Sequence, residues 1–156
     1  MPISDYSGMF RCPVCASRMK AAEQSLVCED GGHRFDISKY GYMNFTTRAV
    51  RTRYDQRLFE ARRAICNSGL FEPMYEVISK MAAGGPESGR ERVMILDAGC
   101  GEGTHLARIM DKLQEVPRLS GRVEGVGVDL AKDGIRYASR AYRHLLWYVA
   151  DVARSP

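Results

Sequence analysis

Four residues near the start of the chain have the types and spacing to hold a metal ion. Cys12 and Cys15 form a C-x2-C knuckle, and Cys28 with His33 completes a C-x2-C-x12-C-x4-H set. Zn2+ takes four thiolate or imidazole ligands in a tetrahedron, and a C-x2-C turn presents two sulfurs to one metal with little backbone strain. Gly31 and Gly32 allow the bend that carries His33 round. Four protein ligands leave no position for water, so the expected metal is structural. The alternative, three buried thiols and a surface histidine, leaves so small a segment little to fold around. Cys66 and Cys100 stand apart from the knuckle and from each other and are read as small buried side chains.

A second stretch, Leu96-Asp97-Ala98-Gly99-Cys100-Gly101-Glu102-Gly103-Thr104, runs from an apolar strand through a G-x-G-x-G turn into a helical pattern. Gly99, Gly101 and Gly103 let the backbone turn sharply and approach a ligand, and the helix N-terminus points N–H groups at it. A nicotinamide fold would more usually show G-x-G-x-x-G, with room for a pyrophosphate. Asp97 at the strand end would repel a diphosphate but suits the ammonium of the methionine part of S-adenosylmethionine. Asp129 ends the second strand, where an acid can bind both ribose hydroxyls; its alternative is a helix N-cap. Asp151 ends the third strand and is placed to meet the adenine amino group, with a purely local role equally open. His105, just past the loop, is read as helix surface.

The elements that must position these residues fall into three parts. Residues 1–46 are the zinc-binding module, with alternating segments such as Gln24 to Cys28 suggesting one or two hairpins. Residues 47–89 are a basic helical linker, helical over about 55–81, broken near Gly69 and restarted at Pro73, with a loop over 83–89. Residues 90–156 read β-α-β-α-β. Val93 to Leu96 is a continuous apolar run, as expected of a strand buried on both faces. Thr104 to about Glu115 has helical spacing, and 123–128 is a second strand. Residues 131–144 form a second helix with Ile135, Ala138 and Tyr142 inward, and 146–149 a third strand. The fold class is therefore α/β: a small N-terminal zinc-binding module followed by the first half of a Rossmann-like class I methyltransferase domain.

Bulk composition narrows the partners. Of 156 residues, 45% are hydrophobic and 27% charged, which excludes disorder, and no apolar stretch is long enough to span a bilayer. The first residues lack a secretory signal, and an odd count of five cysteines, three in the first 28 residues, fits a reducing cytoplasm and no membrane partner. A net charge of +4 fits a polyanion. Arg48, Arg51, Arg53 and Arg57, followed by Arg62 and Arg63 and interleaved with Tyr54 and Phe59, form a candidate RNA-phosphate face, with a solvated helix surface as the alternative.

Taken together, the chain resembles the zinc-containing guanine-N1 methyltransferases of large-subunit ribosomal RNA, the RlmA type. The resemblance rests on Cys12-Pro13-Val14-Cys15, on Cys28 with His33-Arg34-Phe35-Asp36, and on Gly41-Tyr42-Met43-Asn44-Phe45. It continues through Ala61-Arg62-Arg63 and Gly69-Leu70-Phe71-Glu72-Pro73 into Asp97 to Gly103, and Thr104 to Arg108 is similar to the Gram-positive branch. It implies cofactor contacts at Phe71, Gly101 and Glu102. Phe71 stands where relatives often have tyrosine, so no hydroxyl contact is expected there, and one extra glycine precedes His33.

The resemblance further implies methyl transfer from S-adenosylmethionine to N1 of a guanine in a hairpin loop of 23S ribosomal RNA, with the zinc module helping to grip RNA. Family members continue for roughly another hundred residues, about one more half of a doubly wound sheet. The chain thus looks like the front half, expected to need the other half for activity. Three parallel strands leave an open edge that invites pairing with another chain, as in a homodimer. The residues name no catalytic base. Two other readings stay open: an RNA-binding protein with a decayed methyltransferase domain, and a small-molecule methyltransferase.

Overall fold

In the computed structural model, which describes residues 3–50, 52, 54–84 and 92–154, the cysteine-rich segment and the glycine-loop segment share one sheet and one core. The cysteine-rich segment builds a three-stranded antiparallel sheet from β1 (Met19–Ala22), β2 (Ser25–Cys28) and β3 (Arg34–Asp36). The chain then adds a two-residue strand, β4 (Met43–Asn44), to the far edge of the second sheet. Met43 pairs with Tyr148 there.

Two helices follow. Asp55 caps α1 (Gln56–Asn67) by accepting the Leu58 N–H at 2.9 Å. Gly69 takes a φ of +87°, which a glycine adopts without strain, and the chain re-enters helix as α2 (Glu72–Ala83) with Pro73 in its first turn. The remainder alternates as expected: β5 (Val93–Ala98), α3 (Thr104–Gln114), β6 (Val123–Asp129), α4 (Lys132–Ala141) and β7 (Leu146–Val149). The sheet order is β4-β7-β6-β5, with every neighbouring pair parallel. The architecture is mixed α/β. Among the described residues no helix is long and apolar enough to cross a membrane.

Alternation along the strands divides the core in two. Val123 on β6 and Trp147 and Val149 on β7 face α3 and α4, against Leu106, Met110, Leu113, Ile135 and Ala138. Val126, Val128, Leu146 and Tyr148 point the other way and meet Phe10, Leu26, Met43 and Phe45 from the cysteine-rich segment. The rings of Phe10, Phe45 and Tyr148 lie 5.2–5.8 Å apart, centre to centre. A segment too poor in apolar residues to build a core of its own thus borrows the face of the parallel sheet.

Two sequence expectations need correction. Val93 to Leu96 is not buried on both faces. Val93 and Ile95 pack inward, but Met94 is 38% and Leu96 60% exposed. The cysteine-rich layer covers β6 and β7 and stops short of β5, which is the edge of the sheet. The helix expected to reach His144 ends at Ala141. Tyr142 leaves helical geometry at φ −125°, and its carbonyl accepts the Trp147 indole N–H at 2.9 Å.

Candidate functional site

The fold closes the metal constellation. The Cys12-Cys15 knuckle precedes β1, Cys28 ends β2, and His33 stands at the start of β3, so the β2–β3 turn swings the imidazole over the knuckle. His33 Nδ1 lies 3.5 Å from Cys12 Sγ, 3.5 Å from Cys15 Sγ and 3.4 Å from Cys28 Sγ, and Cys15 and Cys28 sulfurs are 3.7 Å apart. A tetrahedron with ordinary zinc bond lengths requires about 3.8 Å between sulfurs and about 3.5 Å between sulfur and nitrogen. The donor set therefore fits Zn2+, with all four positions filled by protein. Hydrogen bonding from Ser17 lowers the Cys15 thiol to about 6, with His33 and Cys12 contributing, which favours the thiolate that a metal binds. The Gly31 N–H points at Cys28 Sγ at 3.1 Å, the kind of support that orients a ligand sulfur.

The glycine loop is held from two sides. Gly99, Gly101 and Gly103 all take positive φ, at +87°, +59° and +83°. Asp129 Oδ2 accepts the Gly101 N–H at 2.8 Å, and its Oδ1 accepts the Ala131 N–H at 2.7 Å. Glu102 is fully buried. Its Oε2 accepts the Thr104 N–H and hydroxyl, the latter at 2.5 Å, and the Thr104 hydroxyl lies 2.9 Å from the Tyr142 hydroxyl. Its Oε1 is buried with no hydrogen-bond partner among the described residues.

Electrostatics favour a cationic ligand at the ends of β5 and β6. Burial pushes the Asp97 carboxyl up. His105 and Arg62 oppose the rise, and Asp129 and Glu102 add to it. Three carboxylates thus converge around a glycine cradle, one with an unsatisfied oxygen. S-adenosylmethionine carries a sulfonium and an ammonium, so the residues present fit it. Asp151 is exposed past β7, its Oδ1 accepting the Ala153 N–H at 3.0 Å. It lines a cavity of about 310 Å3 with Pro13, Phe45, Arg48, Leu130 and Ala150.

Residues 10–46 match the family described as RlmA, N-terminal, its zinc ribbon. The "Putative 23S rRNA (guanine-N(1)-)-methyltransferase YxjB" of Bacillus subtilis (strain 168) is 48% identical over 154 residues, covering 97% of this chain and 52% of that protein. The chain belongs to the RlmA-type family. The 23S rRNA (guanine(748)-N(1))-methyltransferase of Streptomyces fradiae is 32% identical over 148 residues, covering 91% of this chain and 48% of that one. The chain therefore spans about half the length of the curated relatives it matches. The crystal structure of Streptomyces venezuelae DesVI, at 17% identity, superposes with a TM-score of 0.44 over 64% of this chain and 37% of that one, too slight a likeness to carry an argument.

On this RlmA-type chain the structure brings Asp97, Gly99, Gly101, Glu102, Gly103 and Asp129 into one cluster and sets Asp151 one strand further on. Phe71 sits half-buried before α2, its ring edge-on to His105 with centres 5.0 Å apart. His105 is not plain helix surface: it is half-buried, with Nδ1 2.9 Å from the buried Tyr75 hydroxyl and Nε2 3.6 Å from Cys66 Sγ. Tyr75 is held protonated by burial, with the nearby Cys66 adding to it. Cys66 and Cys100 are buried, and burial raises both thiols.

Arg48 lies by the Asp151 cavity, Arg57 is exposed on α1, and Arg51 and Arg53 lie outside the described residues. Arg62 went unassigned as a cofactor-loop residue, yet its guanidinium lies over Gly101, where a Cβ would meet it at 3.2 Å. Its signal was its place in the Ala61-Arg62-Arg63 motif, one turn beyond the buried Phe59 on α1.

Proposed function

We propose that the chain binds S-adenosylmethionine at the Asp97–Asp129 cradle and serves methyl transfer to N1 of a guanine in a hairpin loop of 23S ribosomal RNA, in the cytoplasm. The observation that carries this reading is the cluster of Asp97, Glu102 and Asp129 around a positive-φ glycine loop, in a chain that also holds the RlmA zinc ribbon. In this reading Asp97 and the Glu102 oxygen meet the ammonium end, Asp129 takes the ribose hydroxyls, and Asp151 and Leu130 flank the adenine. Phe71 walls the methionine side.

The cofactor would supply a methyl group already activated on a sulfonium sulfur. What the protein must add is position: N1 of guanine lies on the Watson–Crick edge, so the base has to come from a loop or be flipped, and then be held in line with the methyl. The N1 proton must also leave, to a base that the described residues do not identify. The pocket for the guanine needs walls, and β5 is an open sheet edge with Met94 and Leu96 bare. We take additional sheet beyond β5 to be required for that pocket.

The test is radiolabelled methyl transfer to large-subunit RNA, with nucleoside analysis of the product. It compares the 156 residues alone with a chain extended to the length of the relatives. N1-methylguanosine from the extended chain only is expected. Cofactor binding by neither form would favour an RNA-binding protein with a decayed site, and methylation of small acceptors but not RNA would favour a small-molecule enzyme.

A further inference from the structure

A basic groove takes in Arg63, the last residue of the arginine stretch that the sequence singled out, and joins it to cations from elsewhere in the chain. It runs between α1 and α4 and continues along the turn before β4. Arg63 stacks its guanidinium over Tyr137 at 5.4 Å and Tyr142 at 5.8 Å from the ring centres. Arg140 stacks over Tyr40 at 5.5 Å, and Lys39 lies 5.2 Å from the same ring. A cavity of about 470 Å3 is lined by Gln56, Glu60, Arg63, Tyr137, Arg140 and Arg143. A neighbouring one of about 290 Å3 shares Arg140 and Arg143 and adds Lys39, Tyr40 and Gly41. Among the described residues that line the two, Lys39, Arg63, Arg140 and Arg143 are accompanied by one acid, Glu60. Arg136, one turn before Arg140, is paired with Asp133 at 3.1 Å.

We propose that this groove is a docking track for single-stranded RNA leading to the cofactor loop. The cations come from α1, the C-terminal end of α4 and the turn before β4 and are spread over two adjoining cavities, so they suit a chain of phosphates better than one small anion. Guanidinium groups held over tyrosine rings are pre-oriented by cation–π contact, Arg63 further by a hydrogen bond to Tyr137, and such groups suit phosphates and stacked bases. A lipid surface would need apolar side chains to insert, and Leu145 and Trp147 in the floor are buried. Direction comes from the helices. α4 starts just past Asp129 and ends beside the Lys39–Gly41 turn, and Arg62, next to Arg63, lies over Gly101. RNA on the track would thus reach the methyl-donor end through α1.

This inference rests on the reading of the chain as an RNA-modifying protein, and its test reads binding alone. Fluorescence anisotropy would follow a labelled RNA hairpin with a single-stranded loop, titrated with the chain over a range of salt. Charge reversal at two exposed positions, Arg140→Glu with Arg143→Glu, is expected to weaken binding about tenfold or more and to flatten the slope of log affinity against log salt by about two. Arg140→Lys with Arg143→Lys should retain the slope, and Arg57→Glu, outside the groove, should change both far less. Zinc content and circular dichroism verify that each variant is folded. Unchanged affinity and slope in the double reversal, an equal loss from Arg57→Glu, or no RNA binding by the unaltered chain would overturn the proposal. RNA binding through the groove with no methyl transfer by any form would leave it standing and sink the enzymatic reading instead.

Discussion

Asp129 holds Gly101 across the top of the sheet, its Oδ2 accepting the Gly101 N–H at 2.8 Å while Oδ1 accepts the Ala131 N–H at 2.7 Å. One carboxylate therefore ties the loop after β5 to the entry of α4. The turn into α4 and the loop anchor are held by the same side chain, and both oxygens retain lone pairs for further donors.

Asp129→Asn separates these roles. An amide keeps one acceptor oxygen and turns an NH2 toward the other backbone N–H, so the folded state should lose about 1–3 kcal/mol. Binding of S-adenosylmethionine should weaken as well, because the ribose hydroxyls lose a charged partner. Urea denaturation and calorimetry measure the two effects. Lower stability with unchanged cofactor affinity would reduce Asp129 to a structural clamp.

The glycines of the loop should not be equivalent. Gly99 has φ +87° with open space where a Cβ would go, so Gly99→Ala is expected to cost only the strain of that backbone, about 1–2 kcal/mol. At Gly103, φ is +83° and a Cβ would lie 2.5 Å from the Trp147 ring and 2.8 Å from the Ala138 Cβ. Gly103→Ala adds overpacking of about 1–3 kcal/mol to the strain. Denaturation midpoints of the two variants check the order, and equal losses would mean that Trp147 moves aside freely.

What the sequence made legible follows from the range of the interactions involved. The knuckle and the glycine loop are local patterns whose chemistry depends on near spacing, so Cys12, Cys15, Cys28 and His33 and the strand-end acids could be read directly. The helix starting after Asp55 and the break at Gly69 were legible for the same reason. Pairing of β4 with β7 was not, because two residues carry no periodicity and Met43 meets Tyr148 across more than a hundred positions. Exposure of Leu96 was missed because an apolar run looks alike at the centre and the edge of a parallel sheet. Of the α4 groove only Arg63 was legible, within the arginine stretch; Lys39, Arg140 and Arg143 come from separate segments, and only folding brings them beside it.

Cofactor binding should depend on pH through Asp97. Its carboxyl is raised by burial, so on acidification it takes up a proton at a higher pH than an ordinary aspartate. A protonated Asp97 cannot pair with an ammonium, and affinity should fall as pH drops through that raised value. The effect on stability has the opposite sign. Between the ordinary aspartate range and the raised value the folded state binds more protons than the unfolded state, so this group costs stability at neutral pH and the cost shrinks on acidification. Calorimetric titrations across the mildly acidic range, on the parent and on Asp97→Asn, check the binding part. The variant should bind more weakly near neutral pH and lose this dependence, and an identical pH profile in both would remove Asp97 from the site.

Loss of zinc should reach the parallel sheet, and not only the ribbon. The four ligands fix the knuckle before β1, the end of β2 and the start of β3, and this frame presents Phe10, Leu26 and Phe45 to Val126, Val128, Leu146 and Tyr148. Each fully buried side chain of this size contributes about 1.5–3 kcal/mol, against a total stability of about 5–15 kcal/mol for a typical domain. Unfolding the ribbon would strip that cover from β6 and β7 and free β4 from the sheet edge. Elemental analysis of the purified chain should therefore find about one zinc per molecule. Chelation or Cys28→Ser should abolish the single cooperative thermal transition, with apolar-dye binding reporting the uncovered face. Phe45→Ala offers a metal-independent comparison: it removes a ring from the same interface while leaving the ligands in place, and should destabilise by about 3–5 kcal/mol with the zinc retained. A metal-free chain whose transition and dye binding match those of the zinc-loaded form would show that the ribbon and the sheet fold separately.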